Sequence, residues 1–291
     1  MFLLLICILF NAYISIVFKI FEKYKVRTLQ AIVINYFVCT ITASVYLGRT
    51  AVTPEVLEKD WLWAAIFIGV TFIVTFNLFA ITVQKFGVVL GSIFQKMSLI
   101  APTILAILFY GESVGFLKVF GILLAIASIF VISLNKTEGS AETKPINKWL
   151  YLFPLGSFIG SCFIDSGFFL VNQNGLASSL DIDFIATLFF FAGCFGLLFT
   201  IYDHFKNGTT YRWKEVIAGF ALGIPNFFSI YLLLKVLSNG MDGSVVFPIN
   251  NVGILLVTAV LGLFFFNEKF NIRKLIGFSM AVIAILLVTI G

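Results

Sequence analysis

The fold is decided by a stretch of sequence that occurs twice. Residues 87–134 read GVVLGSIFQKMSLIAPTILAILFYGESVGFLKVFGILLAIASIFVISL, and residues 243–290, 156 positions later, read GSVVFPINNVGILLVTAVLGLFFFNEKFNIRKLIGFSMAVIAILLVTI. Eleven of the 48 aligned positions are identical, and the alignment needs no gap. Matches of Leu or Ile are expected by chance in such an apolar sequence, but matches of a glutamate, a lysine and two glycines in register are not. These pairs are Gly87 with Gly243, Glu112 with Glu268, Lys118 with Lys274 and Gly121 with Gly277. The chain is therefore predicted to be a duplicated unit.

The composition around this repeat indicates an integral membrane protein. Of the 291 residues, 60% are hydrophobic and 11% are charged, and the mean hydropathy is +1.08. Soluble domains carry about 25% charged residues, and a disordered chain would be far less hydrophobic. We therefore expect a lipid bilayer to surround the protein, with most of its 36 Phe residues facing lipid or packing between helices.

Ten apolar runs are long enough to cross the bilayer core, which takes about 20 residues per helix. They cover residues 1–20, 28–47, 61–83, 88–110, 116–134, 149–173, 183–202, 213–236, 244–266 and 272–290. The predicted fold class is an all-α polytopic membrane protein, with ten transmembrane helices arranged as two five-helix repeats around a central cavity. The repeats are residues 1–134 and 149–291, and the polar segment 135–148, NKTEGSAETKPINK, links them.

An odd number of helices per repeat requires the second repeat to be inverted relative to the first. The loops agree, because the connection between spans 1 and 2 carries four basic residues and its counterpart between spans 6 and 7 carries none. An inverted repeat has a pseudo-two-fold axis in the membrane plane. Inward-open and outward-open states are then near mirror images, as alternating access requires.

The basic residues also predict the orientation. The connections 1–2, 3–4, 5–6, 7–8 and 9–10 hold 14 of the 19 Lys and Arg residues, and the opposite side holds 4. Because basic loops stay in the cytoplasm, both termini are expected outside it. These basic loops are read as orientation signals, so no nucleic-acid partner is expected. The predicted location is the inner (plasma) membrane of a bacterium.

Two charged residues lie deep within predicted spans. Lys96 is about eight residues, or about 12 Å, into span 4, and Asp165 is near the middle of span 6. A charge at this depth costs about 2.5 to 3.5 kcal/mol on insertion scales, which makes such residues candidates for function. Lys96 could bind a substrate carboxylate or phosphate, and Asp165 could be its partner, a proton carrier or an amine receptor. The alternative is a structural salt bridge between the two.

Buried amides complete the candidate substrate-binding set, which comprises Lys96, Asp165, Asn11, Asn77, Gln95, Asn226, Asn250 and Asn251. Any one amide could instead join two helices, a contact worth about 0.6 to 2 kcal/mol. The repeat aligns Gln95 with Asn251, which places polarity at equivalent depth in spans 4 and 9.

Other features are expected to shape the bundle. Pro102, Pro154, Pro225 and Pro248 fall within spans, and Pro225 and Pro248 are the expected kinks beside the cavity. The GxxxG at Gly219 and Gly223 predicts a close helix crossing. Glu112 and Glu268 are expected at helix ends outside the site, where they tie neighbouring helix ends or pair with Lys118 and Lys274. Five aromatic residues could line a pocket: Tyr36, Phe76, Phe79, Phe94 and Tyr231.

Catalytic parts are absent from the sequence. No phosphate-binding loop, nucleophile elbow or zinc motif occurs, and the single histidine, His204, lies in a basic loop. No cofactor, metal site or enzymatic activity is therefore expected. If transport is coupled to protons, Asp165 must carry the coupling.

The ten spans in two units, each with a fourth helix ending in an apolar run followed by Gly or Asn and Glu, resemble the drug/metabolite transporter superfamily, and more narrowly the EamA-like transporters. The two motifs are FYGE at 109–112 and FFNE at 265–268. The resemblance implies a basket-shaped bundle of helices around a central cavity. It also implies a protein that exports or imports small metabolites, including amino acids and drugs. Members of that family are usually drawn with both termini in the cytoplasm, the reverse of the charge count here.

The predicted function is therefore ATP-independent transport of a small-molecule substrate, such as an amino acid, by alternating access, with export as one direction. The alternatives are a lipid-handling flippase or a membrane-embedded enzyme, which would need ionisable groups opening towards lipid, and a non-transporting structural or receptor protein, which would lack a water-accessible cavity. The sequence is compatible with a monomer or a homodimer.

Overall fold

The computed structural model describes residues 1–112, 115–133, 148–177, 181–241, 243–268 and 271–290. Within these ranges the chain is helical, with turns and no strand. The described part of the chain contains eleven α-helices: α1 Phe2–Tyr24, α2 Thr28–Leu47, α3 Leu62–Phe86, α4 Val88–Lys96, α5 Ile100–Tyr110, α6 Phe116–Ser133, α7 Leu152–Gln173, α8 Ile182–Asn207, α9 Trp213–Ser238, α10 Gly243–Phe266 and α11 Ile272–Ile290.

These helices confirm the predicted fold class. α4 and α5 together form the fourth span, so eleven helices make ten spans. Among the described residues, nine of the spans are long and apolar enough to cross a bilayer, and the tenth, α6, is an apolar helix of 18 residues. Residues 135–147 of the expected linker lie outside the described residues.

The ends of the helices follow from local sequence. The side chain of Asp181 accepts a hydrogen bond from the Phe184 N–H at 3.1 Å and caps α8. At the other end of α8, Gly208 has a φ of 65° and its N–H donates to the His204 carbonyl at 2.8 Å. A left-handed residue of this kind commonly ends a helix, and glycine adopts it without strain.

The packing of the helices repeats when the two halves are exchanged. Under the shift of 156 residues, α10 and α11 correspond to the fourth span and α6, and in chain order α7, α8 and α9 correspond to α1, α2 and α3. α2 packs against α9, and α8 packs against α3; α1 packs against α9 and α10, and α7 packs against α3 and α5. Three pairs map onto themselves, namely α2 with α8, α4 with α10, and α6 with α11. The bundle therefore has the pseudo-two-fold arrangement that an inverted repeat predicts.

The same symmetry holds at single side chains between α6 and α11. A Cβ atom added to Gly121 would lie 2.8 Å from the Val288 N atom, and one added to Gly277 would lie 2.2 Å from Cγ1 of Ile132. Residues 121 and 277 are repeat partners, and so are residues 132 and 288. The two glycines aligned by sequence thus allow one close crossing, each from its own helix.

The GxxxG in α9 makes a second close crossing, as predicted. A Cβ at Gly219 would lie 2.4 Å from Cγ2 of Ile34, and one at Gly223 would lie 2.6 Å from Cβ of Val38. Because both neighbours belong to α2, the glycines set the α2–α9 contact.

The fourth span is interrupted, and the interruption differs from the expected positions. Residues Met97–Leu99 form a 3-10 turn between α4 and α5, and Pro102 follows three residues later. The proline ring would clash with the carbonyl of residue 98 in a continuous α-helix. Pro225 and Pro248, by contrast, lie inside unbroken α9 and α10. The break therefore lies beside Pro102, and not at Pro225 or Pro248, the two expected kinks.

Candidate functional site

The helices enclose a cavity of about 590 Å³. Its wall is built from α1, α3, α4, α5, α7, α8, α9 and α10. A volume of this size is within the range of about 300 to 1,000 Å³ that small-molecule sites occupy.

The cavity opens towards one end of the bundle. Residues at that rim include Glu112 after α5, Gln173 at the end of α7 and Leu237 near the end of α9. These positions adjoin connections 4–5, 6–7 and 8–9, which are poor in basic residues. We call this end the mouth and the opposite, Lys- and Arg-rich end the basic end.

Seven of the eight candidate residues line this cavity: Lys96, Asp165, Asn11, Gln95, Asn226, Asn250 and Asn251. Asn77 is not among the lining residues. Its side-chain amide donates to the Ile73 carbonyl of its own helix at 2.8 Å. Asn77 lies within α3, but the side of this helix that lines the cavity is formed by Phe72, Thr75, Phe76 and Phe79.

Lys96 is the last residue of α4, directly before the 3-10 turn. It lines the cavity together with Asp165. Within the described residues, its ammonium has no ion-pair partner within 4.0 Å and no hydrogen bond. The salt bridge with Asp165 that the sequence left open as an alternative is therefore not formed, although the two charges face the same cavity.

Asp165 is held instead by Ser98 from the 3-10 turn, whose hydroxyl hydrogen-bonds the carboxylate. The Ser98 Oγ also lies 2.5 Å from the Gln95 carbonyl. An ionised Asp165 accepts a hydrogen bond from the Ser98 hydroxyl, and a protonated Asp165 can donate one to the Ser98 Oγ while that hydroxyl donates to the Gln95 carbonyl. Ser98 was missed by sequence reasoning, because only the break in span 4 shows that this serine leaves the helical pattern.

The amides divide into two groups by their hydrogen bonds. The Asn226 side chain donates to Oδ1 of Asn35 at 3.2 Å and joins α9 to α2, and Asn11 donates to the Cys7 carbonyl at 3.1 Å. Oδ1 of Asn250 accepts from the Cys7 thiol at 3.4 Å. These three have structural partners.

Gln95 and Asn251 form the second group. Their side-chain amides line the cavity and have no hydrogen bond within the part of the chain that is described. They are the repeat partners that the sequence places at equivalent depth. With the Lys96 ammonium, they present unsatisfied polar groups to whatever occupies the cavity.

An aromatic surface forms another part of the cavity wall. It comprises Phe72, Phe76, Phe79, Phe168 and Phe184. Phe72 contacts Phe168 edge-on at a ring distance of 6.3 Å, and Phe168 contacts Phe184 edge-on at 6.0 Å. Phe76 and Phe79 were expected to line a pocket and do so, but Tyr36, Phe94 and Tyr231 are not lining residues. Tyr36 is fully buried and donates to the Phe72 carbonyl at 3.0 Å.

At the basic end, two carboxylates join the ends of neighbouring helices. Glu215, in the first turn of α9, accepts from the backbone N–H groups of Arg27 and Arg212, each at 3.0 Å, and is fully buried. It also binds the Arg212 guanidinium and raises its pKa. Glu268, after α10, accepts from the Val88 N–H at 2.6 Å and the Val89 N–H at 3.4 Å, at the start of α4. The cavity lining reaches the helix ends at the mouth and includes none of the helix ends at the basic end.

Both motif glutamates act as predicted at helix ends. Glu268 ties the end of α10 to α4, and Glu112 pairs with Lys118 at 3.3 Å. The placement of Glu112 outside the site is corrected, because it lines the mouth of the cavity.

Comparisons with known proteins agree with this architecture. The model of the EamA-like transporter family matches residues 1–134 and 142–290. An uncharacterized protein of Haemophilus influenzae is 26% identical over 288 residues, which cover 97% of this chain and 95% of that protein. A solved crystal structure superposes with a TM-score of 0.63 at 14% identity, over 99% of this chain and 96% of the other, and shares the fold. The family model covers nearly the whole chain in two halves, so the chain belongs to the EamA-like transporter family.

Proposed function

We propose that the protein is a secondary carrier of small zwitterionic solutes, with amino acids bearing an apolar side chain as the substrate class. The observation that carries this proposal is the pair of opposite charges, Lys96 and Asp165, which face one cavity without binding each other. A solute with a carboxylate and an ammonium group would neutralise both.

The polar groups support a defined pose. The substrate carboxylate would accept from Lys96 and from the unsatisfied amides of Gln95 and Asn251, and the substrate ammonium would donate to Asp165. Charge-assisted hydrogen bonds of this kind are about twice as strong as neutral ones. The aromatic surface defined above would receive the side chain, and its area favours an apolar or aromatic group.

The packing symmetry supports alternating access. Exchange of the two halves maps the present contacts onto one another, so a second state open at the basic end would use equivalent contacts at similar energy. Asp165 is the carboxylate of the deep cavity, and its contact with Ser98 suits both of its protonation states. Coupling to protons would therefore act through Asp165.

The pose is tested by binding of one amino acid and two analogues to purified protein, measured by calorimetry. Leucine is compared with leucinamide, which lacks the carboxylate, and with 4-methylpentanoate, which lacks the ammonium group. We expect both analogues to bind the native protein about 10- to 100-fold more weakly, as loss of a hydrogen bond to a charged group implies.

Variants then assign each charge. Lys96→Met is expected to abolish the discrimination between leucine and leucinamide, and Asp165→Asn the discrimination between leucine and 4-methylpentanoate. Lys59→Met, at an exposed loop position, is the control and should leave both ratios unchanged. Discrimination that survives in Lys96→Met would refute the carboxylate assignment.

A further inference from the structure

The two motif glutamates have the same backbone geometry but different partners. The Glu268 N–H donates to the Gly262 carbonyl at 3.0 Å, and the Glu112 N–H donates to the Ala106 carbonyl at 3.2 Å. In both cases the preceding residue is left-handed, with φ of 49° at Asn267 and 67° at Gly111. The shift of 156 residues aligns all three pairs. The helix ends are therefore two copies of one structure, at opposite ends of the bundle.

The carboxylates are used differently. Glu268 caps the first N–H groups of α4, where the helix dipole favours a negative charge. Glu112 is 47% exposed at the mouth and pairs with Lys118, whose repeat partner Lys274 has no ion-pair partner among the described residues. Glu268 therefore binds a helix of the other repeat, whereas Glu112 binds a lysine of its own repeat.

The start of α4 is built to receive a carboxylate. Gly87 has a φ of 99°, and a Cβ atom there would lie 2.6 Å from Oε1 of Glu268. The repeat places a glycine, Gly243, at the equivalent position at the start of α10. α4 and α10 pack against each other, so each start lies within the other unit's reach when its end of the bundle closes.

We propose that Glu268 and Glu112 are reciprocal locks that set which end of the cavity is open. In the present state Glu268 caps α4 and closes the basic end, while Glu112 forms an ion pair with Lys118. In the opposite state Glu112 caps the N–H groups of residues 244 and 245 at the start of α10 and closes the mouth, while Glu268 forms an ion pair with Lys274. The lock requires alternation between two states, as the proposed function does, but it requires no particular substrate.

The test measures from which side the cavity can be reached. In a background with the four native cysteines replaced by alanine, Asn11→Cys places a thiol at mid-depth on the cavity wall. A membrane-impermeant methanethiosulfonate reagent is added to one face of sealed vesicles of known orientation, and the labelling rates from the mouth and from the basic end are compared without substrate.

We expect Glu268→Ala to shift the ratio of the two rates about tenfold towards the basic end, the size expected for a lost charge-assisted bond. Glu112→Ala, at a half-exposed position, should shift the ratio in the opposite direction. The double variant should return it close to the parental value, because each state has then lost one equivalent contact. Glu268→Gln, which keeps an acceptor oxygen, should give a smaller shift in the same direction and guards against misfolding.

Shifts of both single variants in the same direction, or no shift in either, would overturn the lock. The result is separable from transport. If the variants show the reciprocal shifts but the protein transports no solute, the lock is supported and the proposed carrier function is refuted. If the protein transports solute but the labelling ratios do not shift, the carrier function is supported and the lock is refuted.

Discussion

Lys96 and Asp165 show how a residue's neighbours decide its role. A lysine and an aspartate at depth in one bundle would lower their joint desolvation cost by pairing. Here Ser98 binds the aspartate, and the lysine lines the cavity without an ion-pair partner within the described residues. This arrangement keeps the desolvation cost of two separated charges, and we infer that bound substrate lowers it.

The Ser98 hydroxyl is expected to orient Asp165 for substrate binding. Replacing Ser98 by alanine removes the hydroxyl that orients Asp165, so we expect leucine to bind about 2- to 10-fold more weakly, the effect of one hydrogen bond. Binding of 4-methylpentanoate, which has no ammonium group, should change little. Calorimetry on purified protein measures both affinities.

Thr103→Ala is the matched control, because the Thr103 hydroxyl lines the cavity but donates only to the Leu99 carbonyl of the same span. If Thr103→Ala weakens leucine binding as much as Ser98→Ala does, Ser98 has no special role in the site.

Among the helices, the interrupted fourth span is the element that builds the site. It places Lys96 at the end of α4 and Ser98 in the turn. Pro102→Ala restores the missing N–H and removes the ring clash, which permits α4 and α5 to join. We expect a higher melting temperature and weaker leucine binding, a trade of function for stability.

The measurements are thermal unfolding in detergent and calorimetric affinity. Pro154, in the first turn of α7, is the control because a proline there removes no helical hydrogen bond, so Pro154→Ala should alter neither quantity much. A Pro102→Ala protein that binds leucine normally would show that the break does not position the site.

The close crossing of α6 and α11 should not tolerate a large side chain at either glycine. Gly277→Leu adds a side chain where a Cβ already lies 2.2 Å from Ile132, and Gly121→Leu does the same against Val288. Each should destabilise the protein by about 1 to 3 kcal/mol through overpacking, seen as a lower melting temperature. Ile283→Leu, at an exposed position of α11, should have no comparable effect. Tolerance of leucine at both glycines would contradict the symmetric crossing.

Much of this architecture was predictable from sequence for physical reasons. Apolar length determines spans, and the aligned glycines at 121 and 277 mark a contact that repeats. The break at 97–99 and the rotation of Asn77 out of the cavity were not predictable. The position of Asn77 depends on how α3 packs. Pro102 accompanies the break, but Pro225 and Pro248 lie inside continuous helices, so proline position alone does not tell which span is interrupted. The same reason explains why Ser98 was missed while Gln95 and Asn251 were found.

For the whole molecule, the first prediction concerns orientation. The basic end carries most of the Lys and Arg residues, so it is expected in the cytoplasm, with the mouth and both termini outside. A reporter that is active only in the cytoplasm, fused after Gly291, should be inactive, and the same reporter inserted in connection 7–8 should be active. Cytoplasmic activity after Gly291 would reverse the orientation, and the mouth would then open inwards.

Solute flux in proteoliposomes shows whether the protein carries a zwitterionic solute through the cavity that Lys96 and Asp165 line. Uptake and efflux of labelled amino acids are measured with and without a pH gradient, for the native protein and for Lys96→Met. We predict saturable flux of an apolar amino acid that Lys96→Met abolishes. Absence of flux for every amino acid from folded native protein, or undiminished flux in Lys96→Met, would contradict the account.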